Sequence, residues 1–217
     1  MKDARKERLA KRNPQDKERA MARIRDVTPD EVPDDLRALY ARFSGELGPF
    51  RNQVAVIAHR PPALRHVMGL LAELSDEARI PKRILEIALV AVSTLNECRY
   101  CVAHHAPRLA ETGLPPETIT AILEDDCPGL DATERLVRDY AVQVTTRAGR
   151  PDGKLFAALR DRFDEAEMVE LTLRIALCSF FNRFNDALRI EIEDDAMVAL
   201  LASGMDADAL PAAGTAE

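Results

Sequence analysis

The chain has 217 residues, which is enough for one large domain. Only nine residues are glycine, tryptophan is absent, and aromatic residues make up 5% of the chain. Because strands favour aromatic side chains and hairpins need glycine, this composition disfavours an all-β fold and predicts an all-α one. The net charge of −7 also disfavours nucleic-acid binding.

The charge is unevenly distributed along the chain. Residues 1–26 carry ten Lys/Arg against five Asp/Glu, and we expect this basic head to be a solvated helix or a disordered tail. Residues 1–33 are expected to form a basic N-terminal extension. No apolar run reaches the roughly 18 residues of a membrane-spanning helix, and we expect no secretory signal, because no hydrophobic stretch follows the charges of the N-terminus. We therefore expect a cytoplasmic protein, in which a CxxC pair is more often catalytic or metal-binding than a structural disulfide.

Apolar periodicity predicts roughly eight helices, in a domain that covers residues 34–203. They are expected over residues 34–47, 54–74 (interrupted at Pro61-Pro62), 81–95, 98–112, 116–125, 132–147, 154–163 and 165–188. Residues 204–217 are small and polar, and we expect them to form a disordered tail. The last long helix is apolar around most of its circumference, which predicts that part of it is buried between subunits.

An internal similarity suggests two related halves. Residues 85–89 and 173–177 share four of five letters, 88 positions apart, and each segment lies in a long apolar helix. Cys98 and Cys101 follow the first segment, whereas the positions 88 residues later are Asp186 and Arg189, so only the first half would carry redox chemistry.

Three chemically reactive side chains share one face of the predicted helix that begins near Cys98. Cys98, Cys101 and His105 are separated by three and four residues. The positive end of a helix favours the thiolate form of nearby cysteines, and His105 can take the proton of Cys101. His104 points to a different side of the helix, and we interpret it as a packing or surface residue.

Glu86 is the second unusual residue, because all its neighbours in the segment Ile84–Leu89 are apolar. A carboxylate buried there needs a partner or holds a raised pKa, and either state suits a general base or proton relay. The alternatives are that Glu86 faces solvent or that it has a purely structural partner, such as Arg174.

The pattern Glu86-x11-Cys98-x-x-Cys101-x3-His105 resembles the redox signature of the alkylhydroperoxidase-D-like branch of the carboxymuconolactone decarboxylase family. The segment around it and the later ELTLRIALCSFFNRFNDAL are also similar to that branch. The resemblance implies an all-α fold with two similar helical halves and a homo-oligomer, either a trimer or a hexamer. It implies a thiol-dependent peroxidase that needs no cofactor or metal and is recycled by a dithiol reductant, such as a lipoyl- or thioredoxin-like protein.

The resemblance also implies a role for each residue of the motif. Cys101 would be the peroxidatic thiol, Cys98 the resolving thiol, and His105 with Glu86 the proton relay. One position departs from the pattern, since well-known members carry a histidine immediately before the second cysteine, where this chain has Tyr100. A tyrosine, with a usual pKa near 10, can donate a hydrogen bond but cannot act as a base at neutral pH.

Two arguments disagree on which of the two cysteines is the more reactive thiol. The helix dipole favours Cys98 as the more acidic thiol, whereas the resemblance favours Cys101 as the thiol that peroxide oxidises. Both hold if Cys98 is an exposed thiol that exchanges with the reductant while His105 activates Cys101.

Three other functions remain open at this stage. A lactone decarboxylase, from the other branch of the family, needs a base but no dithiol. A zinc site would use Cys98, Cys101, His105 and Glu86 as ligands. A non-enzymatic helical oligomer would use the dithiol to sense oxidants.

The remaining cysteines, histidines and polar side chains carry weaker signals. We interpret Cys127 as incidental, Cys178 as a small core residue, and His59 and His66 as packing or surface residues. Polar residues near the end of the last long helix predict a hydrogen-bond network first and a pocket lining second: Asn182, Arg183, Asn185 and Asp186.

Overall fold

A computed structural model describes residues 22–45, 48–146, 150–207 and 210–211. Over these ranges the chain forms helices, turns and loops without any β-strand, which confirms the predicted all-α class. Most of the predicted basic extension, residues 1–21, and the last six residues of the predicted tail lie outside the described ranges.

Ten helices serve to describe the fold. They are α1 (Arg37–Ser44), α2 (Arg51–Ile57), α3 (Gly69–Glu77), α4 (Lys82–Leu95), α5 (Arg99–Ala110), α6 (Pro116–Thr120), α7 (Ala132–Thr146), α8 (Gly153–Arg160), α9 (Glu165–Leu188) and α10 (Asp194–Ala202). The predicted helix over 54–74 is divided, because Pro61 starts a new helical turn that continues through a π-helix, Leu64–Met68, into α3.

Local side-chain contacts explain where the longest helices begin. Asp164 accepts a hydrogen bond from the backbone N–H of Glu167, and the Glu167 carboxylate accepts one from the N–H of Asp164, which caps α9. Asp131 and Glu134 form the same reciprocal pair at the start of α7.

Helix α4 lies at the centre of the domain and packs against α5, α7 and α9. Eight consecutive residues of α4, Glu86–Ser93, are buried, so the helix is covered on all sides. A second apolar cluster forms where α1, α2 and the π-helix meet α9, and it includes Tyr40, Val54, Met68 and Phe181. The functional side chains lie between these two parts of the core.

The packed domain extends beyond the predicted limits of 34–203 at both ends. Val27 and Val32 are buried against the second cluster, so this end of the predicted extension belongs to the packed domain. Met205 and Leu210 are buried against the main core, so the expectation of a disordered tail is wrong at these two residues. Isolated apolar residues in polar segments gave no periodic signal that would have placed them in the core.

The helices that contain the two similar segments, residues 85–89 and 173–177, differ in length. Helix α4 ends at Leu95, whereas α9 continues to Leu188 without a break. On α9, Ile175 and Phe181 are buried within the protomer, while Val169 and Phe180 are 66% and 49% exposed.

None of the described helices combines the length and apolar character that a membrane span requires.

Candidate active site

The turn between α4 and α5 places the CxxC segment beside Glu86. Glu97 has a φ of 56°, in the left-handed region, and the backbone N–H of Cys98 donates to the carbonyl of Ser93 at 3.0 Å. This is the geometry of a Schellman helix end, and it reverses the chain sharply. Cys98 is at the same time the N-cap of α5, so Cys101 and His105 follow on the turns that pack along α4.

Glu86 and His105 form a buried pair across the two helices. His105 Nδ1 lies 2.8 Å from Glu86 Oε2, and both residues are less than 10% exposed. Glu86 therefore does not face solvent. The guanidinium of Arg108 lies 3.9 Å from the other carboxylate oxygen. The expected alternative partner, Arg174, makes no ion pair with Glu86 within 4.0 Å among the described residues.

The electrostatics of the pair fix its protonation. Burial lowers the pKa of His105, and this outweighs the opposing effect of the Glu86 charge. Burial by itself raises the pKa of Glu86, but the charge and hydrogen bond of His105, with help from Arg108, bring that pKa below its usual value. At neutral pH the pair is thus a carboxylate and a neutral imidazole, in which Nδ1–H donates to Glu86 and Nε2 carries a free lone pair.

The two thiols of the motif have different surroundings. Cys101 lines a cavity together with Glu86 and His105, and its Sγ accepts a hydrogen bond from Asn185 Nδ2 at 3.3 Å. Cys98 is fully buried and lies outside the cavity lining. A hydrogen bond to Cys101, together with burial, raises the pKa of Cys98. An exposed Cys98, the condition under which the two arguments about the cysteines would both hold, is therefore not observed, because Cys98 packs in an apolar cluster with Val56 and Ile190.

The cavity has a volume of about 160 Å³. This is similar to the ~150 Å³ of an engineered cavity that holds a benzene molecule. One part of its wall is apolar and includes Phe43, Phe50, Leu71, Leu89, Leu177 and Phe181. The other part carries the chemistry and includes Glu86, Cys101, His105, Arg108, Arg174 and Cys178.

A second buried histidine–carboxylate pair lies behind the CxxC segment. His104 Nε2 is 2.9 Å from Glu193 Oε2, and the Tyr100 hydroxyl donates to Glu193 Oε1 at 2.9 Å. The backbone N–H of Asn52 also donates to Glu193 Oε1. His104 is therefore a buried structural residue. Of the two interpretations drawn from the sequence, a packing residue or a surface residue, the first agrees with the structure. Burial and the negative charge of Glu193 raise the pKa of Tyr100.

Replacement of Tyr100 by phenylalanine should reduce the free energy of unfolding by about 1.5–3 kcal/mol, because a buried carboxylate loses a hydrogen-bond donor. Tyr140→Phe is the matched control, since the Tyr140 hydroxyl bonds the neutral hydroxyl of Thr172, at 2.7 Å. We expect a loss of about 1 kcal/mol there. Urea denaturation of both variants measures the difference, and equal losses would contradict the structural role of the Tyr100–Glu193 contact.

The structure also shows the positions of the remaining polar residues, histidines and cysteines that the sequence analysis named. Asn182 and Asn185 are buried and bond to Asn96, Gln53 and Cys101, which confirms an inter-helix network and brings Asn185 to the site. Arg183 and Asp186 are exposed, as are His59 and His66. Cys127 is buried and contacts the carbonyl of Thr118. Cys178 is a core residue at the cavity, and burial raises its pKa to about 12.

The zinc alternative is not supported. Across the described ranges, no group of three or more His, Cys, Asp or Glu side chains has an arrangement that could hold a metal ion. His105 directs Nδ1 to Glu86, so the two form a hydrogen-bonded pair and not two neighbouring ligands.

Sequence reasoning missed several side chains of the site. Arg108 lies three residues after His105, so its position on the same helical face was a usable signal. Phe50, Gln53 and Glu193 come from distant parts of the chain, and no local pattern marks them.

Residues 61–128 match the sequence profile of the Carboxymuconolactone decarboxylase family. This confirms the predicted family resemblance. No curated protein matches the chain at a significant level of sequence similarity.

Solved structures with the same fold include proteins of several kinds. A peroxidase-related protein with an AhpD core from Ralstonia eutropha JMP134 is 22% identical, with a TM-score of 0.70, over 82% of this chain and 95% of that chain. The debrominase Bmp8 is 20% identical, with a TM-score of 0.67, over 82% and 96%. A protein of unknown function from Agrobacterium tumefaciens, suggested to be the antioxidant defence protein AhpD, is 25% identical, with a TM-score of 0.56, over 62% and 93%. These similarities establish the alkylhydroperoxidase-D-like fold.

Proposed function

From its match to the carboxymuconolactone decarboxylase family, whose members include enzymes, we propose that the protein is a thiol-dependent peroxidase that reduces hydrogen peroxide or organic hydroperoxides. One observation carries the proposal. A cysteine of a CxxC pair lines a substrate-sized cavity together with a neutral imidazole whose second nitrogen is held by a buried carboxylate.

The first step is oxidation of Cys101. The lone pair on His105 Nε2 takes the thiol proton, and the Glu86 carboxylate stabilises the imidazolium that forms. The thiolate sulfur attacks the terminal oxygen of the hydroperoxide, and the O–O bond breaks. The proton on His105 passes to the departing alkoxide, so the products are an alcohol and a sulfenic acid on Cys101.

The second step closes the disulfide. The Cys98 sulfur attacks the Cys101 sulfenic acid, the S–O bond breaks, and the hydroxide leaves as water with the proton of Cys98. The positions of the two cysteines support this step, because Cys98 is the N-cap of α5 and Cys101 follows three residues later, within the first turn of that helix. An external dithiol then reduces the disulfide, so each cycle consumes one peroxide and one dithiol.

Tyr100 takes no part in this relay. Its hydroxyl is directed to Glu193, behind the CxxC segment, and the backbone N–H of Gln53 donates to the same oxygen at 3.3 Å. The proton relay of this chain therefore consists of His105 and Glu86 alone.

The proposal is tested by a peroxide-consumption assay on the purified protein with dithiothreitol or a reduced lipoyl domain as the reductant. We expect catalytic turnover of cumene hydroperoxide and one intramolecular disulfide, detected by intact mass and assigned by peptide mapping. Disulfide formation without turnover would instead favour the non-enzymatic redox sensor.

Reductive dehalogenation is a second candidate, favoured by the ring-sized cavity with Phe43, Phe50 and Phe181 in its wall. The structural neighbour Bmp8 is a debrominase, and its cysteine-to-alanine variant has been crystallised with 2,3,4-tribromopyrrole. In such a reaction the dithiol would supply two electrons and a proton, which yields the debrominated ring, bromide, a second proton and a disulfide. Bromide release from 2,3,4-tribromopyrrole distinguishes this activity from peroxide reduction.

The lactone decarboxylase reaction of the family's other branch does not require a dithiol. A muconolactone assay distinguishes that activity from both redox activities. The homo-oligomer and the lipoyl- or thioredoxin-like reductant stay predictions.

A further inference from the structure

The cavity wall contains two guanidinium groups besides the relay. Arg108, on α5, lies over the ring of Phe50 with 5.1 Å between the guanidinium carbon and the ring centre. Arg174, on α9, is half-buried at the same cavity. Hydrogen peroxide needs neither group, because it is small, uncharged and polar.

Arg174 has no close anionic partner. Among the residues that the structure describes, its guanidinium makes no hydrogen bond and no ion pair within 4.0 Å. Burial lowers the pKa of Arg174, and Glu170 and Glu86 oppose this only from a distance. Glu86 is already bonded to His105, and Glu170 Oε2 accepts from the backbone N–H of Arg79.

A cation that is largely removed from water without a partner is costly, and a bound anion would offset that cost. The charges at the cavity support this. Arg108 and Arg174 are positive, Glu86 is negative, and His105 is neutral, so the polar wall carries one positive charge in excess.

We propose that Arg174, assisted by Arg108, binds a carboxylate on a small, largely apolar substrate whose reactive group reaches Cys101. The shape of the cavity sets the remaining features of that substrate. Its volume of about 160 Å³ and its phenylalanine and leucine side chains fit a body about the size of one ring. This inference rests on the proposed peroxidase function and names its substrate class as hydroperoxides that carry a carboxylate.

The binding test uses benzoate and its neutral analogue benzamide, titrated calorimetrically into the reduced protein. We expect benzoate to bind at least ten-fold more tightly than benzamide, because a charge-assisted hydrogen bond to an arginine contributes about 1.5–3 kcal/mol, and 1.4 kcal/mol corresponds to ten-fold. Arg174→Met should remove that preference. Equal binding of the two compounds, or no binding of benzoate, would overturn the subsite.

The matched control is Arg183→Met, on the same helix. Arg183 is exposed and donates to the carbonyl of Ser179. This variant should keep the wild-type preference for benzoate. Melting temperatures of both variants check that each is folded, and Arg174→Gln serves as the second variant at the site if Arg174→Met does not fold.

A kinetic test connects the subsite to turnover. We expect kcat/KM for 4-carboxycumene hydroperoxide to exceed that for cumene hydroperoxide by at least ten-fold, and Arg174→Met to reduce this ratio toward one. Equal kcat/KM values in the wild-type protein would contradict the subsite while leaving the peroxidase function intact. Benzoate binding through Arg174 without turnover of either hydroperoxide would contradict the peroxidase function and leave the carboxylate subsite standing.

Discussion

Replacement of Cys101 by serine will abolish peroxide consumption. Cys101 is the motif cysteine that lines the cavity, and His105 and Glu86, the proposed proton relay, line the same space. A serine hydroxyl does not form a stable oxidised product with a hydroperoxide, so no sulfenic acid or disulfide can form. The measurement is peroxide consumption with dithiothreitol, where we expect a rate equal to that of the buffer.

Replacement of Cys98 by serine should have a different effect. Cys101 can still be oxidised once, but no thiol remains to resolve its sulfenic acid, so the reaction should stop after about one equivalent of peroxide. Dimedone labelling followed by mass spectrometry should locate the trapped sulfenic acid on Cys101. This single-turnover experiment is carried out without dithiothreitol, because an external thiol would replace the missing one.

Cys127→Ser is the matched control for both variants. Cys127 is also fully buried, and its Sγ contacts the Thr118 carbonyl, an acceptor that a serine hydroxyl can also use. We expect wild-type turnover from this variant. Sustained turnover by both Cys101→Ser and Cys98→Ser would exclude the dithiol mechanism.

The sequence was informative where the physical signal was local. The helical pattern predicted α9 with its observed bounds, and the CxxC spacing placed Cys101 and His105 on one face of α5. Glu86 stood out because a carboxylate in an apolar helix needs a partner, and the structure supplies His105 as that partner.

Burial and tertiary contacts were harder to predict. Nothing in the local sequence of Cys98 indicates that its side chain is buried in a cluster with Val56 and Ile190, which come from distant parts of the chain. The adjacent histidines illustrate the same limit, since His104 and His105 are both buried against a glutamate, yet Glu193 lies 89 residues beyond His104. Such pairings depend on how helices pack and not on periodicity, so the sequence alone gave His105 a partner and left His104 without one.

Replacement of Glu86 by glutamine is expected to lower kcat/KM for peroxide by about 10²–10⁴, because His105, the general base, loses the carboxylate that supports it. The amide keeps the shape and can still accept a hydrogen bond from His105 Nδ1–H, but it no longer stabilises the imidazolium that forms when Nε2 takes the thiol proton. The folded state should lose little stability, because the variant also removes the cost of burying a charge.

The pH profile should identify how Glu86 acts. Below the pKa of His105 the imidazole is protonated and cannot act as a base, so kcat/KM falls on the acid side. Burial lowers that pKa, whereas the Glu86 charge raises it. Removal of the charge in Glu86→Gln should therefore shift the acid limb to lower pH while the plateau falls. A structural role alone would lower the plateau in proportion to unfolded protein and leave the limb in place.

Glu134→Gln is the matched control for a buried glutamate with a structural role. Glu134 is 4% exposed and pairs with Arg83 at the start of α7, away from the cavity. We expect Glu134→Gln to lower the melting temperature and to leave both kcat/KM and the pH profile of the folded protein unchanged. Unchanged turnover in a well-folded Glu86→Gln variant would remove Glu86 from the relay, and a limb that does not move would show that it does not act through His105.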